Sequence, residues 1–425
     1  MGHHAPAQFL TILKVIMTEG TGQAAIVDYD PFSEEVLANP EPYDRVALNA
    51  GPVLYFPQYD LYALARHKLV RAAFPDWRAF CSGHGTGIVH TGRAGNWRRQ
   101  SPVLENDPPD HGRYRKILQA VLTGATLREI RERFTPVADA MVRDLVARGR
   151  FDAQRELAEA FPLIVVPTML GLSEEDRDVM VSYSDLNFNS MGPDNDVRRA
   201  SQARTAGSAE RVAQLCRRES LAPGGLGRRI YDECAAAGVT DEDAAILVRT
   251  FFSASMDTTA NGIGFTIQAL AADPAQWEAV RSSPALLQAA FDEGLRHRAP
   301  SPHIGRTTTQ AIEIEGITIP ADAKVLLMIA AADRDPDRYD DPDRFDVTRK
   351  APAHIAFGAG IHACIGQPFA KLEAELVLTA LARHAATLRM DGTPTPQINN
   401  WLRGYATLPI AAEPDPAAAG GNAHA

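Results

Sequence analysis

Residues His354 to Ala370 read HIAFGAGIHACIGQPFA, and no other stretch restricts the fold as tightly. A single cysteine, Cys364, stands among three glycines, two histidines and apolar residues. A reactive thiol ordinarily has a base or a disulfide partner nearby. The other cysteines, Cys81, Cys216 and Cys234, are scattered along the chain without CxxC spacing. That scatter fits neither a disulfide framework nor a structural zinc site. Gly358, Gly360 and Gly366 let backbone pass close to something large and flat, and leave amides free to point at a thiolate. The segment therefore reads as a loop presenting a buried thiolate as a metal ligand. A small apolar core cysteine would need neither the glycines nor His362 two positions earlier.

A ligand loop of this kind needs a large folded body around it. The 425 residues, 45% hydrophobic and 23% charged, have ordinary globular composition. No Pro/Ser/Gly-rich linker or internal repeat marks a boundary. The expected organisation is one domain over 30–410, an extension over 1–29 and a low-complexity, disordered tail over 411–425. A net charge of -10 argues against a nucleic-acid protein, because duplex binding rests on cations that neutralise phosphates. The apolar run FLTILKVIM, Phe9 to Met17, is interrupted by Lys14 and falls short of the roughly twenty residues of a membrane span. It lacks the flanks of a signal peptide, so a reducing cytoplasm and no membrane are expected.

Apolar residues recur at three and four spacings in VADAMVRDLVARG, ELAEAFPLIVVPTMLG, DEDAAILVRTFFSASMDTTANGIGFTIQALAADP and PALLQAAFDEGLRH, which predicts helices. Strand patterns are short: GPVLYFP, AIEIEGITIP, KVLLMIA and ATLPIAA. The fold class is mainly α with small β-sheets. Three further segments stand out. DPPDHGRYRK opens a helix and puts His111 and Arg115 four apart on one face, which alone would read as a solvated face. In SASMDTTANG, Asp257, Thr258 and Thr259 interrupt an apolar helix, where threonines often simply back-bond to the preceding turn. In DEGLR, Glu293 and Arg296 have the spacing of a helical ion pair.

FGAGIHACIG resembles the haem-binding signature of the cytochrome P450 family, and the likeness runs from about Asp30 to Pro409 with other motifs in the family's order. Glu293/Arg296 resembles its ExxR motif, AADRDP the following loop and ASMDTT the oxygen-activating helix. The resemblance implies a triangular, mainly helical fold with haem b between that helix and the cysteine-loop helix. Cys364 would be the axial thiolate, the metal ligand, and amides of the glycine-rich loop would tune it. His111, Arg115, Arg306 and His362 are similar in position to the family's propionate partners, while Phe357, Gly358 and Ala254 would pack against the macrocycle. Glu293 and Arg296 would be structural, joined by either Arg344 or Arg349. Thr258 and Asp257 match the acid–alcohol pair that delivers protons during dioxygen reduction. Ser255 departs from the glycine common in the family and would add a hydrogen bond to the oxygen groove or narrow it.

Within the family the chain looks most like bacterial enzymes that oxidise para-substituted benzoic acids, notably by O-demethylation of 4-methoxybenzoate. The stretches concerned are WRRQSPVLENDPPDH, LNFNSMGPDND, LAPGGLG and LVRTFFSASMDTTANGIG. By that resemblance Arg98, Ser101, Arg249 and Thr250 occupy positions associated with the substrate carboxylate, with Ser253 beside them, and cation plus hydroxyl donors suit an anion. Phe188 would pack on the aromatic ring. Met191 and Ile304 stand at expected phenylalanines and Ser301 at an expected valine, which implies a roomier, more polar site for a methoxycinnamate or dimethoxybenzoate, unless Met191 simply refills the volume. A neutral phenolic ether, alkylphenol or terpenoid is the alternative substrate, and a non-catalytic haem-thiolate sensor the alternative class. The family's electrons would come from an external ferredoxin and its reductase, docking near Arg113 and Lys116 of a monomeric protein.

Overall fold

The computed structural model describes residues 15–16, 22–91, 99–173, 176–350 and 354–419. It is mostly helical, with one seven-stranded sheet, one three-stranded sheet and two two-stranded pairs among the described residues. Along the large sheet the strands run Val15–Ile16, Ala25–Val27, Leu54–Phe56, Leu61–Leu64, Lys324–Leu327, Ile304–Thr308 and Phe80–Cys81. The central pairing joins Lys324 to Leu61 in parallel and Lys324 to Thr307 antiparallel. One neighbour of Lys324–Leu327, Leu61–Leu64, is thus distant in sequence, and Lys324–Leu327 is buried at all four positions. Its short apolar run is what a strand covered on both faces requires.

The helices build the main core. Helix Gly124–Arg148 starts on Thr123, whose side chain accepts from the Thr126 amide, and ends on Gly149 at φ 81°. Its face of Ile130, Phe134, Ala138, Val142 and Leu145 is buried at the helical spacing seen in the sequence. It packs on Gln367–His384, the helix that follows Cys364. The Leu286–His297 helix, carrying Glu293 and Arg296, lies between that helix and Asp257–Ala272.

Two expectations about the ends change. Ala25–Val27 pairs with Leu54–Tyr55 in the large sheet, so the folded body begins before residue 30. Strand Pro409–Pro414 pairs along Ala385–Met390 and Arg150–Asp152, so the domain continues through 411–414 where a disordered tail was expected to begin. In both cases backbone pairing by β-branched and small residues overrode what looked like terminal sequence. No helix among the described residues is long and apolar enough to cross a membrane.

Candidate functional site

The helical pattern that looked continuous from Asp241 to Ala272 is broken. Asp241–Ser255 and Asp257–Ala272 are separate helices, with Met256 at φ -83° and ψ -72° between them. One hydroxyl bridges the break, Thr258 Oγ1 donating to the Ala254 carbonyl at 2.7 Å, and on its near side Ser255 Oγ donates to the Phe251 carbonyl at 2.5 Å. Side chains here replace ladder hydrogen bonds, as kinks of this type require. The Ser255 hydroxyl is therefore committed to its own helix, not offered to a groove.

The break forms part of the wall of a largely apolar cavity with about 1430 Å³ of atom-free space, counting its mouth. Ala254, Ser255, Thr258 and Thr259 line it, as do Phe357, Gly358, His362 and Cys364 of the glycine-rich segment. Gly360, at φ 72°, could carry no side chain, because a Cβ there would meet Pro75 Cα at 2.6 Å. The Cys364 amide donates to the Phe357 carbonyl at 2.8 Å, closing the loop, and the helix beginning at Gln367 starts just past the sulfur. Burial raises the Cys364 thiol, while the amides of Gly366 and Gln367 and the Arg115 cation favour the thiolate. This is a donor set for a thiolate that some further cation completes.

At one edge of the cavity cations and imidazoles gather, with Asp107 as the acid facing them. The side chain of Arg306, a residue 2% exposed, donates to its neighbour's carbonyl, Gly305, at 2.8 Å, and burial pushes its pKa down to about 10. Burial likewise lowers Arg115. The His362 and His111 rings meet edge to face at 4.4 Å, and burial, with His362 and Arg115 nearby, pushes His111 down to about 4. Among the described residues, Nε2 of His111 and both ring nitrogens of His362 have no hydrogen-bond partner. The facing acid is Asp107, 3.6 Å from His362; burial works to raise it, but His362 and the Ser82 and Gly83 amides hold it below the usual range. Buried polar nitrogens are costly when unpaired, so the edge fits a flat group carrying acidic substituents. A macrocycle with two propionates and a central iron for Cys364 has that shape and charge.

Behind the loop, Arg296 grips Glu293 with two bonds of 2.7 and 2.9 Å and also donates to the carbonyls of Asp333, Pro342 and Arg344. Arg349 is the second arginine, its Nε 3.0 Å from Glu293. Arg344 contributes only its carbonyl, while its guanidinium lies 3.8 Å from Asp346. Asp333 accepts from the Ile355 amide at 2.9 Å and so ties this cluster to the segment that holds Cys364.

Asp257 sits at the break, half-buried, facing Ser184 and Asp185. Burial and the Asp185 charge push its carboxyl up to about 6, against an opposing contribution from Ser184. Glu159 is raised to about 7, mainly by burial and in part by Asp257, with Gln154 bonded to it at 3.1 Å. Two neighbouring acids thus titrate near neutrality.

The substrate-side residues are only partly assembled. Thr250, Ser301 and Ile304 line the cavity. Ser101 stands behind Thr250, whose Oγ1 lies 3.0 Å from Ser101 Oγ, and Ser253 bonds the Thr250 carbonyl at 3.5 Å. Arg249 is turned away and donates to the Arg99 carbonyl at 3.1 Å. Phe188 packs in the cluster of Trp401 and Met328, with Met191 against it, and neither is among the lining residues. Arg98 lies outside the described residues. The sequence reading missed Glu105, Asp107 and Asp333 although they lie within the quoted stretches, since single acids give no signal of the partners that packing brings to them. Glu105 is 3% exposed and accepts from the Ser101 amide at 3.0 Å.

Comparison with known proteins agrees with this geometry. A family model described as Cytochrome P450 matches residues 226–411. The chain is 42% identical over 386 residues to cytochrome P450 CYP199A2 of Rhodopseudomonas palustris, covering 91% of this chain and 94% of that one. It is 33% identical to the cytochrome P450 monooxygenase PikC of Streptomyces venezuelae, covering 72% and 75%. Among solved structures it is similar to cytochrome P450 CYP109Q5 from Chondromyces apiculatus, with a TM-score of 0.75, 28% identity and coverage of 91% and 98%.

Proposed function

The chain belongs to the cytochrome P450 family and is a haem-thiolate monooxygenase, and from that premise we propose that its substrate is a small aromatic acid, oxidised by O-demethylation or hydroxylation. Haem b would be held by Cys364, with Arg115, Arg306, His362 and His111 to balance its acidic substituents, and would supply dioxygen activation and oxygen-atom insertion. The chain's own residues position the substrate and move protons. Asp257, titrating at about 6, can take protons from solvent and pass them on at neutral pH. The Thr258 hydroxyl, now donating to Ala254, needs only a rotamer change to face the cavity it already lines. Hydroxylation of a methoxy carbon yields a hemiacetal that falls apart to a phenol and formaldehyde. Positioning that carbon decides which bond reacts.

The observation that carries the aromatic-acid reading is the Thr250 hydroxyl at the cavity wall, backed at 3.0 Å by the buried Ser101 hydroxyl. Ser101 can donate to Thr250 Oγ1, which frees the Thr250 proton to turn to a carboxylate in the cavity. A neutral phenolic ether, alkylphenol or terpenoid is the second reading, favoured by the Glu105 carboxylate behind Ser101 and by Arg249 being engaged elsewhere. Electrons would come from a ferredoxin and its reductase in the cytoplasm. Exposed Lys116 suits an acidic ferredoxin, whereas Arg113 is bonded to the carbonyls of Ala237 and Gly238.

Optical titration of the ferric holoprotein separates the readings. A low-to-high-spin Soret shift with 4-methoxybenzoate, 4-methoxycinnamate or veratrate, absent with guaiacol and camphor, is expected. A shift only with the neutral compounds would overturn the aromatic-acid assignment.

A further inference from the structure

The segment from Ser82 to Thr91 walls the cavity at Thr86 and touches the Met191 carbonyl through the Ile88 amide at 3.0 Å. It also carries two histidines that the monooxygenase chemistry does not use. His84 Nδ1 lies 3.8 Å from Asp322 Oδ1, and His90 Nε2 lies 3.7 Å from the same oxygen. All three ligand atoms fall within 4.8 Å of one another, and the two rings are 5.5 Å apart. We propose that His84, His90 and Asp322 form a binding site for one divalent transition-metal ion, zinc(II) in the first place, that staples this segment to the sheet.

The chemistry and the geometry agree. Two imidazoles and one carboxylate are a three-residue donor set for zinc, with water as the fourth ligand. Bonds of about 2.0–2.2 Å at tetrahedral angles put ligand atoms about 3.3–3.5 Å apart. Closing the two gaps to Asp322 takes a shift of a few tenths of an ångström, and bringing the two imidazoles together from within 4.8 Å takes about 1.4 Å at most. His84 and Asp322 can supply it, since their side chains are 56% and 61% exposed, while His90, at 9%, is the fixed anchor.

The backbone that carries these ligands is already positioned. Gly85, at φ 98°, turns the chain so that the Thr91 amide donates to the His84 carbonyl at 3.0 Å. Lys324 Nζ donates to the His84 and Gly85 carbonyls at 3.1 and 2.9 Å, which holds its charge on backbone oxygens. Asp322, at φ 59°, is fixed by its amide's 2.8 Å bond to the Thr308 carbonyl. Binding thus orders side chains and leaves the loop path as it is, which keeps its entropic cost small. The occupied site would brace the stretch containing Thr86 and Ile88, and with it one wall of the cavity.

Holoprotein stripped with chelator and then dialysed against zinc(II) alone is expected to retain one tightly held equivalent. Removing one ligand in His84→Ala or Asp322→Asn, both exposed positions that leave the core untouched, should weaken it by about tenfold or more. His3 and His4 remain in both variants, so zinc held there would be unchanged. Hydrogen exchange over residues 84–91 should slow with zinc in the wild type and not in His84→Ala. No retained equivalent in the wild type, or equal retention in the variants, overturns the site. Retention with unaltered exchange overturns the staple.

Discussion

Glu293 and Asp257 are both acids packed inside the molecule near the cavity, and their surroundings treat them in opposite ways. Glu293 Oε1 accepts from Arg296, Arg349 and the Asp346 amide, and Oε2 accepts from Arg296. Asp257 has the Asp185 charge on one side, Glu159 on another and Ser184 in compensation. Complete pairing fixes one geometry, which suits a scaffold under a ligand loop. Incomplete pairing leaves the proton free to come and go near neutral pH, which suits a relay.

The sharpest way to break this contrast is to remove the paired acid. Glu293→Ala leaves Arg296, 2% exposed, without its carboxylate, and loss of one partner from a buried pair costs about 3–5 kcal/mol. The variant should yield little folded, haem-loaded protein. A denaturation midpoint close to the wild type's would show that the cluster is not structural.

Asp257→Asn should fold and bind substrate as the wild type does, yet form product about 10²-fold more slowly, the scale of a lost proton-transfer group. Equal product per electron in both proteins would remove Asp257 from the relay. The same substitution tests its electrostatics. The ordinary aspartate value of 3.8 is raised to about 6 in the folded state, so that state binds its proton more tightly than the unfolded chain does. Ionisation therefore costs stability progressively as pH rises from about 4 to about 6, and the full cost persists above that. The variant's melting temperature should rise relative to the wild type's over that interval and hold a constant advantage at higher pH. A pH-independent difference would mean that Asp257 is not held protonated.

The smallest effect discriminates within the scaffold. Arg349→Ala should destabilise by about 2 kcal/mol, as the loss of a buried network member does. Arg344→Ala, at a side chain 61% exposed, should stay within about 0.5 kcal/mol. Equal urea midpoints for the two would undo the assignment of Arg349 to Glu293.

Cys364, His362, Gly358 and Gly360 could be read together because one short loop carries them, and Glu293 with Arg296 because a helical turn sets their distance. Asp257 and Thr258 were legible for the same reason, though the break at Met256 was not: its residues keep the helical pattern, and the Thr258 bond to Ala254 that spans it leaves no trace in periodicity. The substrate end was least legible. Ser101 and Thr250 meet across 149 residues of chain, with Glu105 behind them and Arg249 turned to Arg99.

By itself, then, the amino-acid sequence determined the thiolate loop, the mainly helical class and the chemistry carried by contiguous residues, because backbone geometry alone fixes spacings of three or four positions. Only tertiary packing decided that Arg349 takes Glu293, that Asp257 titrates near neutrality and that His84, His90 and Asp322 converge. Each of those depends on distance and desolvation between segments that the linear order keeps apart.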